Sequence, residues 1–163
     1  MTLKIISGGQ TGVDQGALHA AIHCGIKCGG WTPKRWKTEN GKMSQRLRSV
    51  LVEHSSSNYL ARTKKNVAEA DATLILSNVL PLNGGTLKTK VFCQELSKPF
   101  LVLKVDDEKA TMKICDWLMS LAKDDVVLNI AGPRESKASG IQKKTKELIS
   151  LVIQEFKFKN VLK

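Results

Sequence analysis

The sequence predicts an α/β fold, a three-layer sandwich in which helices flank a mostly parallel central sheet. Two observations carry this expectation. Short apolar runs alternate with helical patterns along all 163 residues, the signature of parallel strands joined by crossover helices. Several of those runs also end in glycine-rich turns that lead straight into helices, at the strand ends where open parallel sheets bind ligands. The length suits one domain, spanning 1–163, with one substantial core.

Leu3 to Ile6 reads as the first strand. Val13 to Cys24 follows as an amphipathic helix whose apolar stripe is Val13, Ala17, Ala20, Ala21 and Cys24. That stripe turns His19 and His23 toward solvent or a partner subunit, so their spacing of four does not read as a zinc site. A short strand is expected around Lys27 to Gly29. Residues 31–58 are the least regular, with Pro33, Asn40, Gly41 and the run Ser55 to Asn58. They read as a long excursion with one helical turn near Ser44 to Val50.

Regularity resumes with a helix from Tyr59 to Ala70 and the strand Ala72 to Ser77. A loop containing Asn83-Gly84-Gly85-Thr86 leads to a helix over Lys88 to Leu96. Pro99 to Val105 is a buried strand and Ala110 to Ala122 the next helix. The last strand, Val126 to Ala131, runs into Gly132-Pro133-Arg134-Glu135-Ser136, and the final helix covers Ile141 to Phe156. No internal repeat or interdomain linker is visible. The arrangement is Rossmann-like.

Formal net charge is +11, which favours anionic partners. Aromatic residues make up only 5% and do not interleave with basic runs, so a stacking surface for nucleic acid is poorly supported. No apolar run is long enough to span a bilayer, and Met1 leads directly into a strand without an export signal. A cytoplasmic location and no membrane partner are expected. Cys24, Cys28, Cys93 and Cys115 form no zinc-binding pattern and read as reduced thiols, with no structural metal.

Function is written in three turns. Ser7-Gly8-Gly9-Gln10-Thr11-Gly12 joins a strand to a helix, and its glycines permit close backbone approach to a ligand. The helix start that follows offers N–H donors and a partial positive charge, a seat for phosphate. The spacing fits neither the dinucleotide fingerprint nor the lysine-containing P-loop, and a tight structural turn fits it equally well. Asn83-Gly84-Gly85-Thr86 occupies the same context, with Thr86 placed to cap the helix or to meet a ligand oxygen. Gly132 to Lys137 adds the planar fork of Arg134 and the hydroxyl of Ser136. Asp14 reads as a loop-fixing carboxylate. Arg62 and Asn66, four apart on one helix, either reach the same crevice or are ordinary surface residues.

Together, Ser7 to Asp14, Gly29-Gly30-Trp31-Thr32-Pro33-Lys34, Arg62-Thr63 with Asn66-Val67, Gly84-Gly85-Thr86 and Ala131 to Ser136 resemble the molybdenum carrier family. These are relatives of the molybdenum cofactor carrier proteins of algae and bacteria, and the resemblance runs over about residues 5–150. It implies a homo-oligomer, a dimer or a tetramer built from dimers. It also implies binding of molybdenum cofactor (molybdopterin), a pterin dithiolene with a terminal phosphate. The wider group includes the lysine-decarboxylase-like phosphoribohydrolases of cytokinin activation, whose P-G-G-x-G-T-x-x-E motif carries a glutamate for glycosidic hydrolysis. In this chain Thr89 stands at that glutamate's place.

The expected function is therefore a binding or carrier protein for a phosphorylated small molecule, with no catalytic residue assigned. The expected cofactor-binding residues are Gly8, Gly9, Gln10, Thr11, Gly12, Arg62, Asn66, Asn83, Gly84, Gly85, Thr86, Gly132, Arg134 and Ser136. The alternatives are a nucleotide-processing hydrolase using Asp14 or Glu135, a sensor of a nucleotide-derived ligand, and a nucleic-acid binder supported by charge alone.

Overall fold

The computed structural model describes residues 2–161. Its elements in chain order are β1 (Thr2–Ile6), α1 (Val13–His23), β2 (Cys28–Gly29), β3 (Trp31–Thr32), β4 (Lys37–Thr38), β5 (Gly41–Lys42), α2 (Gln45–Arg48), β6 (Val52–Glu53), α3 (Tyr59–Glu69), β7 (Ala72–Ser77), α4 (Gly84–Glu95), β8 (Phe100–Lys104), α5 (Ala110–Ser120), β9 (Asp125–Ala131) and α6 (Ile141–Val161). The five-stranded sheet has the order β2-β1-β9-β7-β8, and every pairing in it is parallel. α1, α5 and α6 pack together and α3 packs on α4, which gives the predicted α/β arrangement.

β7 is buried at every residue, which explains its near-continuous apolar run, since a parallel strand covered on both faces has no solvent side to keep polar. Ile5, Leu74, Leu76, Leu128 and Ile130 from the sheet meet Val13, Ala17 and Ala21 of α1 in one cluster, together with Ile149, Val152 and Phe156 of α6. The small residues of α1 let that helix lie close to the sheet. Of the two histidines on α1, His23 is exposed and His19 half-buried.

Two segments differ from the sequence expectation. Asn83 to Thr86 is the first turn of α4, with Asn83 at the cap position, and not a loop before it. Gly84 makes this possible with φ +52, a conformation glycine adopts at little cost. The excursion over 31–58 contains β3 paired parallel with β6, the antiparallel β4–β5 hairpin and α2. Strands of two residues leave no period to read. A second apolar cluster of Met43, Leu47 and Leu51 on Leu18 holds the excursion down, so α1 is apolar on two faces.

Candidate functional site

The loop after β1 meets the turn after β9 at Gly12, and that turn meets β7 at Gly132. A Cβ on Gly12, which has φ +81, would lie 2.4 Å from the Pro133 carbonyl oxygen. One on Gly132 would lie 2.2 Å from the Leu76 carbonyl oxygen. Ser7 adds a hydroxyl bond to the Ile130 carbonyl at 2.6 Å. Backbone contact of this kind fixes the carboxyl ends of three neighbouring strands against one another.

A crevice of about 350 Å³ opens above these ends. Gln10 and Asp14 line it from the first loop and α1, Tyr59, Leu60, Arg62 and Thr63 from α3, Asn83 to Thr86 and Thr89 from α4, and Ala131 to Arg134 with Lys137 from the end of β9 and the turn after it. No group of three His, Cys, Asp or Glu side chains forms a metal site among the described residues.

The two glycine-rich helix starts behave differently. At α1 most of the donors are already taken. Gln10 N–H bonds to Asp14 Oδ2 at 3.2 Å, Thr11 N–H to Gln10 Oε1 at 3.0 Å, Gly12 N–H to Gln142 Oε1 at 2.9 Å and Val13 N–H to Pro133 O at 3.2 Å. At α4 the N–H groups of Gly84, Gly85 and Thr86 have no acceptor among the described residues, and Asn83 makes no side-chain cap. A helix start with free donors attracts anions through both the N–H groups and the helix dipole. Of the two helix starts, α4 is therefore the one with donors open to an anion.

Opposite α4, Arg134 lies with its guanidinium 5.7 Å from the centre of the Tyr59 ring. Deeper in, Arg62 Nη1 lies 3.3 Å from Asp14 Oδ2, with side-chain exposures of 10% and 5%. Burial raises the Asp14 carboxyl above its ordinary value, against the opposing pull of the Arg62 charge and the Gln10 N–H. Asp14 is thus the loop-fixing carboxylate its position suggested. Two donors near it, Arg62 Nε and Gln10 Nε2, are buried without an acceptor.

Of the expected binding residues, Gln10, Arg62, Asn83, Gly84, Gly85, Thr86, Gly132 and Arg134 line the crevice. Gly8 lies beneath the Arg62 guanidinium, where a Cβ would come 1.6 Å from Nη1. Gly9 faces Met43 and Leu51, Gly12 abuts the turn after β9, and Thr11 and Ser136 turn to Glu39. Asn66 is committed elsewhere: its amide accepts the Trp31 N–H at 2.8 Å and donates to the Trp31 carbonyl at 2.9 Å, pinning β3 to α3. Glu135 caps α6 by accepting the Gln142 N–H at 2.9 Å. Thr89 donates its hydroxyl to the Gly85 carbonyl at 3.2 Å. Lys137 of the third turn and Thr63 beside Arg62 line it too, and Tyr59 is a lining residue that the sequence did not single out. The one signal for Tyr59 was its placement one turn before Arg62.

The circularly permutated YpsA SLOG family matches residues 5–153 of the chain. Among solved structures, a protein of Syntrophus aciditrophicus SB described as a “putative molybdenum carrier protein” is 39% identical, with a TM-score of 0.87 over 93% of this chain and 95% of that one. A comparison with curated proteins found no match.

Proposed function

The chain belongs to the circularly permutated YpsA SLOG family, and from that premise we propose that it binds or carries a phosphate-bearing cofactor in the crevice between α3, α4 and the turn after β9. The observation that carries this reading is the uncapped α4 start facing Arg134 across a space of ligand size, since sites for small molecules run from about 300 Å³ upward. A phosphate sits on the N–H groups of Gly84, Gly85 and Thr86, with Arg134 as its charged partner. Gln10 and Arg62, which also line the crevice, supply hydrogen bonds to a polar ring. Molybdenum cofactor, a pterin dithiolene with a terminal phosphate, has both parts, and the name of the Syntrophus protein supports that choice.

Gly85→Val tests the seat. A Cβ there meets nothing within 4 Å, so the fold should be kept while the side chain covers the helix start. Affinity for molybdenum cofactor or a phosphorylated pterin should fall by about 2–4 kcal/mol, roughly 30- to 700-fold. Unchanged affinity by calorimetry in the folded variant would remove the seat from α4.

One observation favours a second reading as a nucleotide hydrolase. Asp14 is the carboxylate lining the crevice and its pKa is raised, as general acids often are. Its commitments to Arg62 and the first loop argue for a fixed position instead. Incubation with AMP should therefore release adenine no faster than buffer does, read by chromatography. Release that depends on Asp14 would establish the hydrolase.

A further inference from the structure

Glu39 stands at the turn of the β4–β5 hairpin, yet its side chain is only 12% exposed. Its carboxylate is held by donors of the two other glycine-bearing turns. Oε1 accepts the Thr11 hydroxyl, and the Ser136 N–H at 3.1 Å. Oε2 accepts the Ser136 hydroxyl and lies 4.0 Å from Arg134 Nε. Two hydroxyls, a backbone N–H and a guanidinium make a donor set for an oxyanion, and a carboxylate presents two oxygens to it much as a phosphate does. Desolvation pushes the Glu39 carboxyl up, but the bonds from Ser136 and Thr11 and the charge of Arg134 outweigh it and hold the pKa below the ordinary value.

We propose that Thr11, Arg134 and Ser136 form an oxyanion subsite at the rim of the crevice, which Glu39 fills as an internal competitor until an anionic group of the ligand displaces it. This rests on the crevice reading above, because Arg134 serves both places. The hairpin is built to let go. Each of its strands has two residues, and its other tie at the tip is the Glu39 N–H to Gln10 Oε1 at 2.9 Å. That same Gln10 side chain lines the crevice and has Nε2 buried without an acceptor, so releasing Glu39 loosens a member of the crevice wall. Ligand entry and hairpin release are then one equilibrium, and the internal anion lowers apparent affinity by the fraction of time it occupies the subsite.

Pyrophosphate is the probe, followed by calorimetry and by hydrogen exchange. Glu39→Gln keeps the shape and removes the charge, so affinity should rise about tenfold. Adding Ser136→Ala to that variant should abolish the gain, because the donor itself is then missing. In the wild-type chain, pyrophosphate should speed amide exchange over residues 37–42 as the hairpin leaves. A gain that survives Ser136→Ala would be charge removal alone and overturn the subsite. Equal affinity of wild type and Glu39→Gln, or slowed exchange over 37–42, would overturn it too while leaving the crevice reading intact. Failure of either form to bind pyrophosphate, with Gly85→Val also indifferent, would overturn both.

Discussion

Arg62→Leu is expected to destabilise the folded chain by about 3–5 kcal/mol, the penalty for leaving a buried charge without its partner. Asp14 would lose the guanidinium 3.3 Å away, and Gly8 would lose the group that covers it. Burial already raises the Asp14 pKa in the intact protein, and removing Arg62 raises it further. A carboxyl whose folded pKa is raised contributes its full stability below the unfolded value, and that contribution is lost as pH rises through the folded value. The deficit of the variant is therefore largest at neutral pH and shrinks in acid, where Asp14 takes up a proton. Thermal melts at both pH values check this, with a drop of roughly 6–20 °C at neutral pH for a domain of this size. A melt superimposable on wild type at neutral pH would mean that the pair does not hold the first loop.

Gly12→Ala has the second large effect. The new Cβ would meet Pro133 O at 2.4 Å and Glu135 N at 2.7 Å, both backbone atoms, at φ +81. The dihedral alone costs an L-residue about 1–3 kcal/mol, and overpacking adds about 1–3 kcal/mol. The turn carrying Arg134 must also move, so ligand affinity should fall along with stability. Denaturant titration measures the first effect and calorimetry the second. Gly85→Ala, with nothing near its Cβ, is the matched control and should leave stability almost unchanged.

The sheet was legible because its strands are the kind sequence shows best. β7 is apolar from Ala72 to Leu76 apart from Thr73, with a helix pattern on either side, and parallel strands follow from that alternation. The glycine-rich turns were legible as strand-to-helix junctions for the same reason. What each glycine does was not. Gly9 and Gly85 look alike in sequence, yet Gly9 faces Met43 and Leu51 while Gly85 faces open space. The difference depends on the 31–58 excursion, whose contacts are long-range. Glu39 was invisible for that reason: its partners Thr11 and Ser136 lie far away on either side of it, and nothing in the local pattern at Thr38 to Gly41 marks an anion that folds inward.

β9 lies between β1 and β7, although it is the last strand in the chain. Thr2 pairs with Asp125 and Ile6 with Asn129, so the first strand made waits for the last. A ribosome that has delivered everything up to α5 has two incomplete half-sheets, each with an open edge, and nothing to bring the loops after β1 and β7 together. Closure over so long a separation is slow, and until it happens both edges can pair with other chains. The walls of the crevice are thus assembled in one late step. A cell producing this protein would hold a pool of nascent chains whose crevice is not yet formed, and overproduction should strain chaperones more than the modest size of the chain suggests.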